Sequence, residues 1–163
     1  MKRYLVIFVA ISLAIVLAGC GGGKKETSLE AIEEAMVKIN EGRMPDLKTL
    51  VFTETESGLE YVDLKDGDGL EAAAGHTVTV HYHGWLMSDR RFDSSLMTQE
   101  PIEFELGTGK VIKGWDEGVS GMQVGTYRLL RIPSILAYGS KGKKGIIPPN
   151  APLVFFVKLI KIQ

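Results

Sequence analysis

Four short segments hold the residues that could do chemistry: Phe92-Asp93-Ser94-Ser95, Val111-Ile112-Lys113-Gly114-Trp115-Asp116-Glu117-Gly118-Val119, Ala137-Tyr138-Gly139 and Gly145-Ile146-Ile147-Pro148-Pro149. They set aromatic and branched apolar side chains beside few polar ones. None offers an activated nucleophile or a metal-ligating cluster. Such residues can bind an apolar group and bend it, a task that calls for no cofactor and no metal. His81 and His83 are the one pair that could suggest a metal. They share a strand face pointing away from Tyr82, and no cysteine or nearby third ligand completes a set, so they read as a solvated pair.

The elements that must position these segments are mostly strands. Thr77 to Trp85 alternates, with Val78, Val80 and Tyr82 on one face and Thr77, Thr79, His81 and His83 on the other. Leu59 to Leu64, Ile102 to Leu106, Tyr127 to Ile132 and Leu153 to Ile160 read the same way, and Asp66-Gly67-Asp68-Gly69 is a turn. In this half only Lys113 to Val119 reads as a helix. Short strands with one short helix predict an α+β fold: a curved antiparallel β-sheet wrapped around that helix. The last strand is apolar on both sides, with Leu153, Phe155, Val157 and Leu159 on one and Val154, Phe156 and Ile160 on the other. Tyr127 and Leu129 add to the second side. The back of the sheet therefore needs a cover.

An N-terminal helical extension is one candidate for that cover and a second subunit, making a homodimer, is the other. Thr27 and Glu30 fit a capping box, and Leu29, Ile32, Met36 and Ile39 share one face of a short amphipathic helix. Gly42 and Pro45 end it, and Asp46 to Glu56 reads as a connecting segment. Before the helix, Lys2 and Arg3 precede an apolar run from Leu5 to Ala18, too short for the roughly 20 residues of a membrane span and typical of an export signal. Leu17-Ala18-Gly19-Cys20 closes it, and Gly21-Gly22-Gly23-Lys24-Lys25 follows as a polar tether. Cys20 is the only cysteine, so no intramolecular disulfide can form. A formal charge of −1 excludes a field suited to nucleic acid. The organisation is then a signal over 1–19, an anchor, tether and helix over 20–56, and a folded domain over 57–163.

In their order and spacing the four segments, with the strands around them, resemble the FKBP-type peptidyl-prolyl cis/trans isomerases across about Gly58 to Gln163. The resemblance implies a pocket with Trp115 at its base and Tyr82, Phe92, Val111, Ile112, Tyr138, Ile147 and Phe155 around it. It also implies that the Ile112 N–H and the Tyr138 hydroxyl bond to ligand carbonyls, that Asp93 lies at the rim, and that the loop from Gly145 to Pro149 overhangs the entrance. Proline-containing polypeptides would be the substrates and macrolides the inhibitors. The tetrapeptide ending at Cys20 resembles the bacterial lipobox. That implies an exported protein anchored by a lipid on Cys20 in the bacterial cell envelope, and Gly21 fits the periplasmic side of an outer membrane.

The physics suits that role. Amide resonance opposes rotation by about 18–20 kcal/mol, and the two X–Pro end states lie close in energy. The twisted midpoint has lost resonance and is less polar than either planar form, so a dry apolar pocket favours it without making or breaking a bond. A proline-directed holdase would use the same pocket, so the residues alone leave that alternative open. The sequence departs from the family pattern at Ile102, where an aromatic is usual, at Thr98, where a base can pair with the aspartate, and at Lys143, which replaces a ring. Those departures bear on macrolide affinity and on the residue preferred before proline.

Overall fold

A computed structural model describes residues 26–163. The signal and Cys20 lie outside the described residues. The elements run α1 (Leu29–Asn40), β1 (Thr53–Glu54), β2 (Glu60–Lys65), β3 (Thr77–Leu86), β4 (Arg91–Ser94), α2 (Ser95–Thr98), β5 (Ile102–Glu105), α3 (Lys113–Val119), β6 (Tyr127–Ile132) and β7 (Leu153–Ile162), with 3₁₀ turns at Ser134–Leu136 and Gly139–Lys141. Among the described residues the strands form one seven-stranded sheet in the order β1-β2-β6-β7-β3-β4, with β5 also on β3. All its pairings are antiparallel, so the fold is α+β, as the strand pattern predicts. No helix among the described residues is long and apolar enough to cross a membrane.

The alternation in β3 and β7 separates two cores. Val78, Val80, Tyr82, Leu153, Phe155, Val157 and Leu159 join Trp115 and Val119 of α3 on one face. Glycines let α3 come that close: a Cβ on Gly114 would stand 2.9 Å from Ile132 Cδ1, and one on Gly118 2.7 Å from Leu130 Cδ2. On the other face Val62, Leu64, Trp85, Leu129, Val154 and Phe156 pack with Ala31, Ala35 and Ile39 of α1. The helical extension is thus what covers the back of the sheet. Trp85 Nε1 and Arg91 Nη1 both donate to the Gly42 carbonyl, at 3.2 and 2.9 Å, and the Met44 N–H donates to Asp89 Oδ1 at 3.1 Å. These bonds fasten the chain after α1 to the end of the β3–β4 hairpin.

Several expectations are corrected here. The cap of α1 is Ser28, whose hydroxyl accepts from the Ala31 N–H at 3.2 Å, while Thr27 Oγ1 accepts from the Val51 N–H at 2.8 Å. The helix buries Ala31, Ala35 and Ile39, with Ile32 and Met36 at the edge and Leu29 78 % exposed. Large rings on the sheet, Trp85 and Phe156, leave room for alanines opposite them. Ile160 is exposed, because Val80 pairs with Leu159 and Thr79 with Lys161, which makes Ile160 the extra residue of a β-bulge. β1, within the predicted connecting segment, and β4 with α2 were not anticipated.

His83 is no solvated residue. It points away from Tyr82 as the alternation requires, but it is 3 % exposed, set between Trp85 and Phe156 at ring distances of 5.3 and 6.5 Å. Its Nδ1 is 2.7 Å from Ser94 Oγ. Burial first, then the Arg91 guanidinium, push its pKa down to about 4, against a weaker upward pull from the Ile39 backbone. His81 is half-buried, with Nδ1 3.1 Å from Ser95 Oγ, and burial and Lys158 lower its pKa as well. Among the described residues no group of His, Cys, Asp or Glu could hold a metal.

The His83 shift has a stability consequence. Below pH about 6.5 the unfolded chain takes up a proton that the folded chain refuses until pH about 4, so stability is lost as pH falls through that window. Between pH 7 and 5 the expected loss from this residue is about 2 kcal/mol. Urea unfolding at the two pH values should show that loss in the native chain and a smaller one in His83→Gln.

Candidate functional site

Trp115 enters the site because α3 is held at both ends. At its start, the Asp116 carboxylate accepts the Gly107 N–H at 2.8 Å and the Gly109 N–H at 2.9 Å, closing the turn that delivers Val111 and Ile112. Ile112 is the N-cap residue, in extended backbone, and its carbonyl accepts from the N–H groups of Trp115 and Asp116. At the other end, Arg128 Nη1 donates to the Gly118 carbonyl at 3.0 Å, a cation placed where the helix dipole favours one. The opposite wall is fixed by Ser95, a buried hydroxyl that accepts the Tyr82 N–H at 2.7 Å.

These constraints bring Tyr82, Phe92, Asp93, Val111, Ile112, Trp115, Tyr138 and Phe155 to the wall of one cavity of about 500 Å³. Trp115 lies at the centre of a ring cluster. Tyr82 and Phe155 meet it edge-on, at centroid distances of 5.1 and 5.2 Å and interplanar angles of 81° and 86°. Phe104 supports it at 5.7 Å from below the cavity wall, and Phe92 meets Phe155 at 5.6 Å and 90°. Edge-to-face contacts of this kind add stabilisation beyond what area burial gives.

The polar groups are few. The Tyr82 phenol is held above its ordinary pKa by burial first, then by the neighbouring Asp93 carboxylate, so it stays a neutral hydroxyl. Asp93 Oδ1 also accepts the Ser94 N–H at 2.9 Å. Among the described residues neither the Ile112 N–H nor the Tyr138 hydroxyl has a hydrogen-bond partner, and the buried Trp115 Nε1 has none either. An apolar hollow with free donors at its edge can hold a carbonyl-flanked apolar ring.

The structure does not bring Ile147 to that wall. Its side chain is buried in the core beneath, and the segment from Gly145 to Pro149 lines a second cavity with Arg90, Lys141 and Lys144. Ile102, Lys110, Lys113 and Ala137 complete the first cavity. Lys110 and Lys113 were not singled out from the sequence. Their places inside and beside the Val111–Val119 segment were the only available signal. Asp116 and Ser95, which position the walls, sit inside the same motifs, and only their hydrogen bonds in the fold give them that role.

A family model described as FKBP-type peptidyl-prolyl cis-trans isomerase matches residues 69–160. An FK506-binding protein of Neisseria meningitidis serogroup B is 51 % identical over 105 residues, covering 64 % of this chain and 96 % of that protein. Peptidyl-prolyl cis-trans isomerase FPR2 of Saccharomyces cerevisiae is 55 % identical over 95 residues, covering 58 % of this chain and 70 % of that protein. The crystal structure of AtFKBP13 is similar at a TM-score of 0.65 and 40 % identity, covering 69 % of this chain and 99 % of that one. With more than half the chain inside the matched region, the ring-lined hollow over Trp115 stands in a member of the FKBP-type peptidyl-prolyl cis-trans isomerase family, to which this chain belongs.

Proposed function

We propose that this isomerase turns X–Pro bonds in exported polypeptides by holding the twisted imide over Trp115. The observation that carries the reading is the wall itself: edge-on rings around one indole, with two unpartnered donors, the Ile112 N–H and the Tyr138 hydroxyl, at its margin. The proline ring packs on the indole and the donors hold the flanking carbonyls. The apolar wall then favours the midpoint, whose dipole is smallest, over both planar forms. Neutral Tyr82 and rim-placed Asp93 fit a site that moves no proton. Each tenfold in rate requires about 1.4 kcal/mol of this preference.

The test is a protease-free proline-isomerisation assay on the purified chain. Interconversion no faster than in buffer, with the protein folded, refutes the reading. A macrolide of the kind that names the Neisseria relative would occupy the same cavity and should inhibit. Only eight residues separate Tyr138 from Ile147, which leaves no room there for a separate chaperone domain and favours isomerase over holdase.

The same proposal places the protein in the bacterial envelope, held by a lipid on Cys20 on the periplasmic side of an outer membrane. It is supported by the apolar run ending in Leu17-Ala18-Gly19-Cys20 and by the absence of any other cysteine in the chain. Cys20→Ala should move the protein from the membrane pellet to the soluble fraction on cell fractionation. Retention of that variant in the pellet would remove the anchor assignment.

A further inference from the structure

Beside the Trp115 cavity lies a second hollow of about 420 Å³, lined by Arg90, Lys141, Lys144 and the segment Gly145–Pro149. The two have no lining residue in common but draw on the same two segments. The β3–β4 hairpin gives Phe92 and Asp93 to the first and Arg90 to the second, and the following loop gives Ala137 and Tyr138 to the first and Lys141 onward to the second. Among the described residues none of Arg90, Lys141, Lys143 or Lys144 is in an ion pair. Of the acids nearest in sequence, Asp89 accepts from the Met44 N–H and Asp93 lies in the first cavity.

The lysines stand on a closed platform. Lys143 and Ile147 exchange both backbone bonds at 2.8 Å, Ile146 N–H donates to the Lys143 carbonyl at 2.9 Å, and Asn150 N–H to the Gly139 carbonyl at 2.8 Å. Gly142 makes the fold-back possible at φ +60, where a Cβ would stand 2.8 Å from the Pro148 carbonyl carbon. Arg90 Nη2 donates to the Ile146 carbonyl and ties the loop to the hairpin across the hollow. A chain of net charge −1 thus carries, on a backbone-braced loop that follows Tyr138, exposed lysines outside any ion pair among the described residues.

We propose that this second hollow takes the carboxylate of an aspartate or glutamate in the same polypeptide whose proline sits over Trp115, making acidic proline segments the preferred substrates. The inference rests on the isomerase reading and names its substrate class. Lys141 follows Tyr138 by three residues of 3₁₀ turn, about 6 Å. Extended peptide advances about 3.3 Å per residue, so the acid lies about two to four residues from the proline, on one side only.

The experiment scans glutamate, alanine and lysine through the four positions on each side of the proline in a neutral peptide, using the full chain in detergent. Glutamate on one side should raise kcat/KM about three- to fivefold over alanine at low salt, through KM, as suits solvent-exposed charges. Lysine there should lower it. The difference should shrink as salt rises and the screening length falls below about 8 Å, and it should reverse in the double variant Lys141→Glu, Lys144→Glu. Equal rates at every position, or a glutamate preference that survives in the double variant, overturns the proposal. Equal peptide rates together with stronger co-sedimentation on phosphatidylglycerol than on phosphatidylcholine vesicles would assign the cations to lipid and overturn it too. Turnover of the alanine peptide by the native chain keeps the isomerase reading standing in either case.

Discussion

Trp115→Leu should lower kcat/KM on a proline peptide about 50-fold while leaving the chain folded. A proline ring resting on the indole hides on the order of 100 Å² of apolar surface, or about 2–3 kcal/mol at about 25 cal/mol per Å², and about 1.4 kcal/mol is a tenfold in rate. Leucine fills part of the volume but has no flat face, and it removes the edge-on partner of Tyr82 and Phe155. Water then reaches the imide and the preference for the less polar midpoint shrinks, so the loss should appear in kcat as well as KM. The stability loss should be smaller than lost packing alone suggests, because the substitution also removes the buried, unpartnered Trp115 Nε1, a group that costs about 1–3 kcal/mol when left unsatisfied. Steady-state kinetics and urea unfolding on one preparation separate the two effects. Unchanged kcat/KM would take Trp115 out of the site.

Arg128→Met should cost about 3 kcal/mol of stability, the largest effect expected from any single ion pair among the described residues. Arg128 is 9 % exposed and meets both Asp63 oxygens, at 2.6 and 2.8 Å. It also bonds the Gly118 carbonyl and lies over the Tyr61 ring at 4.5 Å. One side chain thereby joins β2, β6 and the end of α3. Methionine would leave a carboxylate without its cation and a helix carbonyl without its donor. Asp63→Asn in the same chain should recover part of the loss, since it removes the unpaired charge; a fall in the urea midpoint that Asp63→Asn does not relieve would locate the cost in packing instead. Because α3 carries Trp115, the single variant should also lose isomerase activity before it unfolds.

Most of the sheet was legible because β3 alternates, while β6 and β7 carry apolar residues on both sides and so call for a core on each face. Tyr127–Ile132 and Lys113–Val119 fall where the pattern puts them. β4 was not, because Arg91-Phe92-Asp93-Ser94 holds a single apolar residue and gains its partner only by pairing with β3. The His81 and His83 face was assigned correctly and its environment was not: the backbone of Ile39 in α1, more than forty residues earlier in sequence, reaches His83, and alternation says nothing about distant cover. The cap of α1 shifted from Thr27 to Ser28 because Thr27 finds a partner in Val51, again a contact that local spacing does not encode. For the cavity, the motifs named its apolar side chains. They did not reveal that Ile147 supports the floor from beneath while its loop turns a cationic face outward.

The order of the strands governs when this protein can acquire its shape. β7, the last strand made, lies in the middle of the sheet between β6 and β3, and it contributes Phe155 to the cavity and Val154 and Phe156 to the surface under α1. A nascent chain that still lacks β7 therefore has two sheet fragments and no seam to join them. Contacts between residues so far apart along the chain make for slow acquisition of structure, and here they postpone it until the C-terminal segment has emerged. A folding catalyst of this design cannot begin its work until its own central strand is in place.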